Sequence, residues 1–189
     1  MTESISADII DIGKRMYDKG YAVAHDGNIS VYIEEKGIIY ITPANVSKGF
    51  MLEEQIVKMT LDGEALCGKK PSSEYKMHLA VYRNNKNARA VVHSHPPFAT
   101  AFACIGKPLY SELLAEAKLQ LGDIPLAKYE VPGTDEAAES IVPYCNDYNG
   151  VLLEKHGLIT WGKDLTDAFF KNEIAEFLAS ITYKIGRLK

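Results

Sequence analysis

The stretch Ala90-Val91-Val92-His93-Ser94-His95-Pro96-Pro97 constrains this chain more than any other. Its β-branched start favours an extended strand, on which residues two apart point to the same side, so the imidazoles of His93 and His95 project together from one face. The two prolines that follow end the strand, because proline has no N–H for a sheet ladder, and strand ends are where clefts open. Two convergent imidazoles are half of a metal site. The H-x-H spacing alone is a weak signal, since surface or packed histidines carry it as well.

The residues before this stretch read as short strands after one helix. From Ser6 to Lys19, the apolar positions Ile9, Ile12, Met16 and Tyr17 keep a helical rhythm, with Gly20 where a C-terminal cap glycine belongs. His25-Asp26-Gly27-Asn28 is turn chemistry, and its lone histidine is expected in solvent. Strands follow at Ile29–Ile33, Gly37–Ile41 and Ile56–Leu61, with a helical turn at Leu52–Gln55. Asp62-Gly63 signals a hairpin that returns through Glu64-Ala65-Leu66.

Ser72 or Ser73 is a natural helix N-cap, with Glu74 in the first turn and Tyr75, His78, Leu79 and Tyr82 at helical spacing. A helix start bearing two hydroxyls is also suited to an anion. After the His-x-His strand, helices are expected at Phe98–Ile105, Glu112–Leu121 and, capped by Thr134, on to Tyr144. An extended piece covers Ile124–Ala127. Two apolar strand segments then flank Glu154-Lys155-His156, and a long helix runs from Leu165 to about Lys184. Short strands with helices at the start, middle and end predict an α/β domain of stacked layers around a mostly antiparallel sheet.

The 189 residues suffice for one domain over residues 1–189, burying roughly 70% of the unfolded surface. Apolar residues make up 47%, and 21 basic against 25 acidic side chains leave a formal charge of −4, which argues against nucleic acid as a partner. No apolar run approaches the ~20 residues of a membrane helix, and Met1-Thr2-Glu3-Ser4 lacks the parts of a signal peptide, so a cytoplasmic location is expected. Cys67, Cys104 and Cys145 are odd in number and widely spaced, and are expected as reduced, partly buried thiols.

Glu74, His93, His95 and His156 together would supply the N/O ligand set of a catalytic zinc site. A histidine between Leu153 and Leu158 needs a partner, which is either a metal or a backbone carbonyl. His78, four residues from Glu74, is the competing ligand; its neighbours Met77 and Leu79 favour a packed helical histidine.

Gly27-Asn28-Ile29-Ser30, Thr42-Pro43, Pro71-Ser72-Ser73-Glu74 with Met77-His78, Val91-Val92-His93-Ser94-His95 and His156-Gly157 stand in the order found in the class II aldolase/adducin family, which the chain resembles from about residue 10 to 180. The resemblance implies a layered α/β/α fold. It implies that His93, His95 and His156 hold a divalent metal, usually zinc, with manganese or cobalt as alternatives. Glu74 would then be both a ligand of the resting site and the catalytic base. The implied reaction splits a ketose 1-phosphate reversibly into dihydroxyacetone phosphate and an aldehyde, through an enediolate that a Lewis-acid metal stabilises. Asn28, Ser72 and Ser73 match positions that bind the substrate phosphate. A cyclic homotetramer with active sites between subunits is implied as well.

Two departures stand out. The family loop usually reads Thr-Pro-Ser/Thr-Gly, whereas Ala44-Asn45 here loses a hydroxyl and the glycine; Asn tolerates a left-handed backbone, so the loop shape is expected to survive and phosphate affinity is the open point. The chain also stops at Lys189, where longer members continue into a tail that supplies a tyrosine. The acid for the leaving alkoxide is therefore expected elsewhere, with Tyr110 as the candidate.

Other branches remain in view. The pentulose-phosphate 4-epimerases usually have Asp in place of Glu74 and a Thr-His-Ala-Asp segment absent here after Ile105. Decarboxylases and a dehydratase share the metal set. Adducin-like domains that bind protein have lost the metal ligands, all four of which are present here.

Overall fold

In the computed structural model, which describes residues 4–66 and 68–188, helix α1 (Ile5–Asp18) opens at Ser4, whose hydroxyl accepts from the Ala7 N–H at 3.1 Å. It closes through Gly20 at φ +71°, where the expected cap glycine stands. Among the described residues the sheet has seven strands: β1 (Asn28–Ile33), β2 (Ile38–Ile41), β3 (Val57–Thr60), β4 (Ala90–Ser94), β5 (Leu126–Ala127), β6 (Gly150–Leu153) and β7 (Gly157–Gly162). Their spatial order is β3-β2-β1-β4-β7-β6-β5, and only the β5–β6 pair is parallel. The expected mostly antiparallel sheet is therefore the observed one.

Helices α2 (Tyr75–Asn84), α3 (Pro97–Cys104), α4 (Ala115–Gln120), α5 (Asp135–Ile141) and α6 (Leu165–Leu188) complete the layers. Alternation along β4 shows how the strand divides the core. Val91 faces Met77 and Val81 of α2 and Ile141 of α5, whereas Ala90 and Val92 face Ile9 and Ile12 of α1 and Phe169 of α6. Further along the second face, Leu152 and Leu158 meet Ala99, Ala117 and Leu178 from α3, α4 and α6. Each fully buried Val, Ile or Leu contributes about 1.5–3 kcal/mol, so a one-residue slip of β4 would be heavily penalised. Its register is fixed accordingly, with Asn28 of β1 opposite His93 and Ile159 of β7 on the other side.

Two expectations are corrected. The helix expected over Glu112–Leu121 is two pieces, a 3-10 turn at Ser111–Leu113 and then α4, with Leu114 extended between them. The Asp123 carboxylate accepts from both the N–H and the hydroxyl of Ser111, which ties that turn down separately from α4. In the second, α6 runs on past Lys184 to Leu188. The hairpin expected at Asp62-Gly63 does return through Glu64-Ala65-Leu66: Met59 bridges Ala65, the Thr60 N–H donates to the Glu64 carbonyl at 2.9 Å and the Leu66 N–H to the Lys58 carbonyl at 2.8 Å. Thr134 caps α5 as expected, accepting from the Ala137 N–H at 3.2 Å. Cys145 is buried and Cys104 exposed, both free, while Cys67 lies outside the described residues.

Candidate active site

His93, the last residue but one of β4, is fully buried, and its Nδ1 lies 3.0 Å from the Leu158 carbonyl. A carbonyl only accepts, so Nδ1 carries the proton, and in the neutral ring Nε2 turns its lone pair to the cleft. His95 follows beyond the strand, its N–H donating to the Tyr21 carbonyl at 2.8 Å. His156 comes from the turn between β6 and β7, where Lys155 takes φ +57° and the His156 N–H donates to the Leu153 carbonyl. The three rings stand 4.8–5.1 Å apart between centroids, and one nitrogen from each falls within 4.8 Å of the other two. Two glycines permit this approach: a Cβ on Gly157 would sit 2.5 Å from His95 Cδ2, and one on Gly27 would sit 2.9 Å from the His93 carbonyl.

Glu74 faces these nitrogens from the start of α2. Neither Ser72 nor Ser73 is the cap residue: Glu74 itself occupies the N-cap position, at φ −97° and ψ 13°, and makes no side-chain cap bond. Its N–H is 3.4 Å from Ser72 Oγ, its carboxylate faces the cleft, and the first helical residue is Tyr75. Oε2 stands 3.3 Å from His93 Nε2 and Oε1 3.3 Å from His156 Nε2, while Asn28 Nδ2 donates to Oε2 at 2.9 Å. Burial works to raise the Glu74 pKa, but His93, His156 and the Asn28 amide outweigh it and hold the group well below the usual carboxylate range. His93 is buried too, and Glu74 nonetheless draws its pKa up. Burial, reinforced by the neighbouring imidazoles, pushes His95 down to about 3 and His156 down to about 4, so both are neutral electron-pair donors.

Glu74 Oε1, His93 Nε2 and His95 Nε2 are all buried without a hydrogen-bond partner. Leaving three such atoms unmatched around one point is costly. Three imidazole nitrogens with a carboxylate oxygen are the donor set of a divalent-metal site, and a cation there would satisfy them together.

The open cleft of about 320 Å³ beside these donors is lined by Asn28, Ala44, Asn45, Ser72, Ser73, Glu74, His95 and His156, all named from the sequence. Asn45 does take the left-handed backbone, at φ +58°. Ser72 is buried and Ser73 exposed. Tyr110 is not brought here: it lies on the loop before α4, 63% exposed and outside the cleft. Of two further lining residues, Asp26 was read from the sequence only as part of a turn and Lys48 carried no signal at all. Lys48 is almost fully buried and donates to the carbonyls of His25 and Val46, both at 2.8 Å, so it ties the two loops of the cleft together. Burial lowers its pKa to about 8 against the pull of Asp26 and Glu74. His78 is fully buried behind the cleft, bonded to Ser30 and Asn28.

Fold and donor set together are those of an α/β domain of the aldolase type whose three clustered histidines are able to hold a metal ion. Residues 7–183 match the family described as class II aldolase and adducin N-terminal domain, and the chain belongs to that family. It is 37% identical to the L-fuculose phosphate aldolase of Methanococcus maripaludis, over 96% of this chain and 98% of that protein. It is 36% identical to the 5-deoxy-D-ribulose 1-phosphate aldolase of Bacillus thuringiensis, over 94% of this chain and 83% of that one. A solved L-fuculose 1-phosphate aldolase superposes with a TM-score of 0.93 at 28% identity, covering all of this chain and 89% of the other. The chain is accordingly an enzyme of the lyase class in sugar metabolism. No helix among the described residues is long and apolar enough to cross a membrane.

Proposed function

We propose that this chain is a zinc-dependent aldolase that reversibly cleaves a ketose 1-phosphate, L-fuculose 1-phosphate or a near analogue, to dihydroxyacetone phosphate and an aldehyde. The observation that carries the reading is the convergence of His93, His95, His156 and Glu74 with three buried atoms left unpartnered. The aldolase-named relatives support the substrate class.

His93, His95 and His156 would hold the cation, with Glu74 completing the resting set; an imidazole-rich site suits zinc, with manganese and cobalt as substitutes. When bound, it supplies Lewis-acid stabilisation of the negative charge that develops on the substrate's carbonyl oxygen. The remaining work falls to the protein. Ser72, Ser73, the Asn28 amide and the backbone at Ala44 and Asn45 line the cleft and would bind the phosphate through hydroxyl and amide donors. In the condensation direction Glu74, held as a carboxylate, removes a proton from the hydroxymethyl carbon of dihydroxyacetone phosphate. The electron pair left behind forms the new C–C bond to the aldehyde carbon, and the aldehyde oxygen takes up a proton from an acid. Tyr110, exposed away from its own cleft, is that acid in a cytoplasmic homotetramer whose active sites lie between subunits. Cleavage reverses each transfer.

The test supplies zinc-loaded protein with L-fuculose 1-phosphate and related ketose 1-phosphates and measures dihydroxyacetone phosphate release. Release that is lost on chelation, restored by zinc, cobalt or manganese, and absent in Glu74→Gln is the expected result. A fully metallated protein that releases nothing from any of them refutes the reading.

A further inference from the structure

Behind the cleft, a line of buried polar side chains connects Tyr82 to Glu74. His78 and Tyr82 stand four apart on α2 and Asn28 and Ser30 two apart on β1, so each pair shares a face and the two faces meet. Tyr82 Oη lies 2.6 Å from Ser30 Oγ, which lies 2.6 Å from His78 Nδ1. His78 Nε2 lies 2.5 Å from Asn28 Oδ1, and Asn28 Nδ2 lies 2.9 Å from Glu74 Oε2.

The direction of every bond follows from the acceptor at the end. The Glu74 carboxylate only accepts, so Asn28 turns its NH2 to Glu74 and its carbonyl to His78. The carbonyl in turn requires the proton on His78 Nε2, which leaves Nδ1 to accept from Ser30; the Ser30 oxygen then accepts from the Tyr82 hydroxyl. Desolvation, followed by the charge of His93, pushes the His78 pKa down to about 3, in keeping with a neutral ring. His78 and Ser30 are fully buried, and Asn28 and Tyr82 nearly so.

We propose that His78 is a positioning residue: as the Nε2–H tautomer it locks the Asn28 amide with its NH2 toward the cleft, where it serves Glu74 in the resting site and the substrate anion when Glu74 is at work. The catalytic half of this inference rests on the roles proposed above for Glu74 and Asn28. The lock itself stands on the hydrogen-bond chain alone. Without His78 the amide is free to turn and present its oxygen to the carboxylate, displacing the base.

Two measurements on the full chain test it. Long-range proton–nitrogen NMR of the imidazoles, which needs no turnover, is expected to show His78 as the neutral Nε2–H tautomer, and to show the same tautomer in Ser30→Ala, because the Asn28 carbonyl still requires the Nε2 proton. A wild-type His78 found as Nδ1–H or as imidazolium overturns the lock. In kinetics, His78→Leu is expected to lose about 10- to 100-fold in kcat. His78→Gln, whose amide nitrogen takes the place of Nε2, is expected to recover most of that loss at a similar melting temperature. Equal losses in Leu and Gln, or none in Leu, overturn the positioning role; if the Leu variant fails to fold, His78→Phe, a buried ring with no N–H to offer Asn28, takes its place in the same comparison. Wild-type protein that releases no dihydroxyacetone phosphate defeats the aldolase reading and with it the catalytic half, while the spectra still decide the lock.

Discussion

Gly157→Ala is the smallest change that separates the geometry of the histidine cluster from its chemistry. Gly157 opens β7 directly after His156, and its φ does not lie in the left-handed region, so an alanine meets no backbone strain there. The added Cβ would lie 2.5 Å from His95 Cδ2 and 2.6 Å from the Ser94 carbonyl, both well inside the ordinary contact distance of 3.4 Å. Relieving the first contact moves the His95 ring by 3.4 − 2.5 = 0.9 Å. Relieving the second opens the β4–β7 pairing, because Ser94 is opposite Leu158. Overpacking of this kind costs about 1–3 kcal/mol, which for a chain of this size lowers Tm by about 2–4 °C per kcal/mol. A ligand displaced by nearly an ångström is expected to weaken metal binding by about 10- to 100-fold, an effect apart from the stability loss. Calorimetric titration of metal-free protein with zinc measures the second, and thermal melting of the same samples measures the first. A variant that binds zinc like the parent would refute the argument that β7 must approach His95 this closely, even if its Tm fell.

Three further outcomes follow from the structure. Acidifying the metal-free protein from pH 6.5 toward 4 is expected to lower its melting temperature: His78, His95 and His156 have folded pKa values of about 3, 3 and 4 against 6.5 when free, so the unfolded chain binds more protons across that window and stability is lost as pH falls. The raised pKa of His93 gives stability gained mainly above this window and largely in place below pH 6.5, while the lowered pKa of Glu74 adds to the loss at the acid end; a flat profile would show that these rings are not buried as neutral species. Glu176→Ala removes the carboxylate that accepts from the Phe98 and Ala99 N–H groups, at 2.9 and 2.8 Å, where α3 starts after the prolines. The two unmatched donors are expected to cost about 1–3 kcal/mol in thermal unfolding, with Glu176→Gln losing less; an unshifted midpoint would contradict this cap. Iodoacetamide should modify exposed Cys104 well before Cys145, whose thiol is buried and pushed up to about 12; peptide mapping that finds both labelled at one rate would count against the burial.

Much of this was legible in the sequence because the physics involved is local. The His93–His95 pair follows from a two-residue strand period and the prolines that end it, and Gly20 and Thr134 mark helix ends by backbone freedom and side-chain capping. His156 is different: its own neighbours leave a metal and a carbonyl equally open, and only pairing of β7 with β4 brings its ring to His93. The misread cap at Ser72-Ser73 has the same origin, since nothing local says that the Glu74 side chain will be drawn to histidines far along the chain. The split of the expected Glu112–Leu121 helix depends on Asp123, which lies beyond the segment. Tyr82, Ser30 and His78 did carry a signal, a polar pair two apart in a strand and another four apart on a helix face, but it becomes informative only once the two elements are known to pack. Lys48 offered none, because a lone lysine in a loop ordinarily points to water.

The central claim is that Glu74 moves the proton at the carbon of dihydroxyacetone phosphate that becomes nucleophilic. Proton NMR in deuterium oxide follows it directly, by incubating zinc-loaded protein with dihydroxyacetone phosphate and no aldehyde and watching the hydroxymethyl signal. One of the two carbon-bound hydrogens is expected to exchange with solvent in the wild-type protein and neither in Glu74→Gln with its metal retained. Exchange that persists in the Glu74→Gln protein, or none in the wild type, would contradict it.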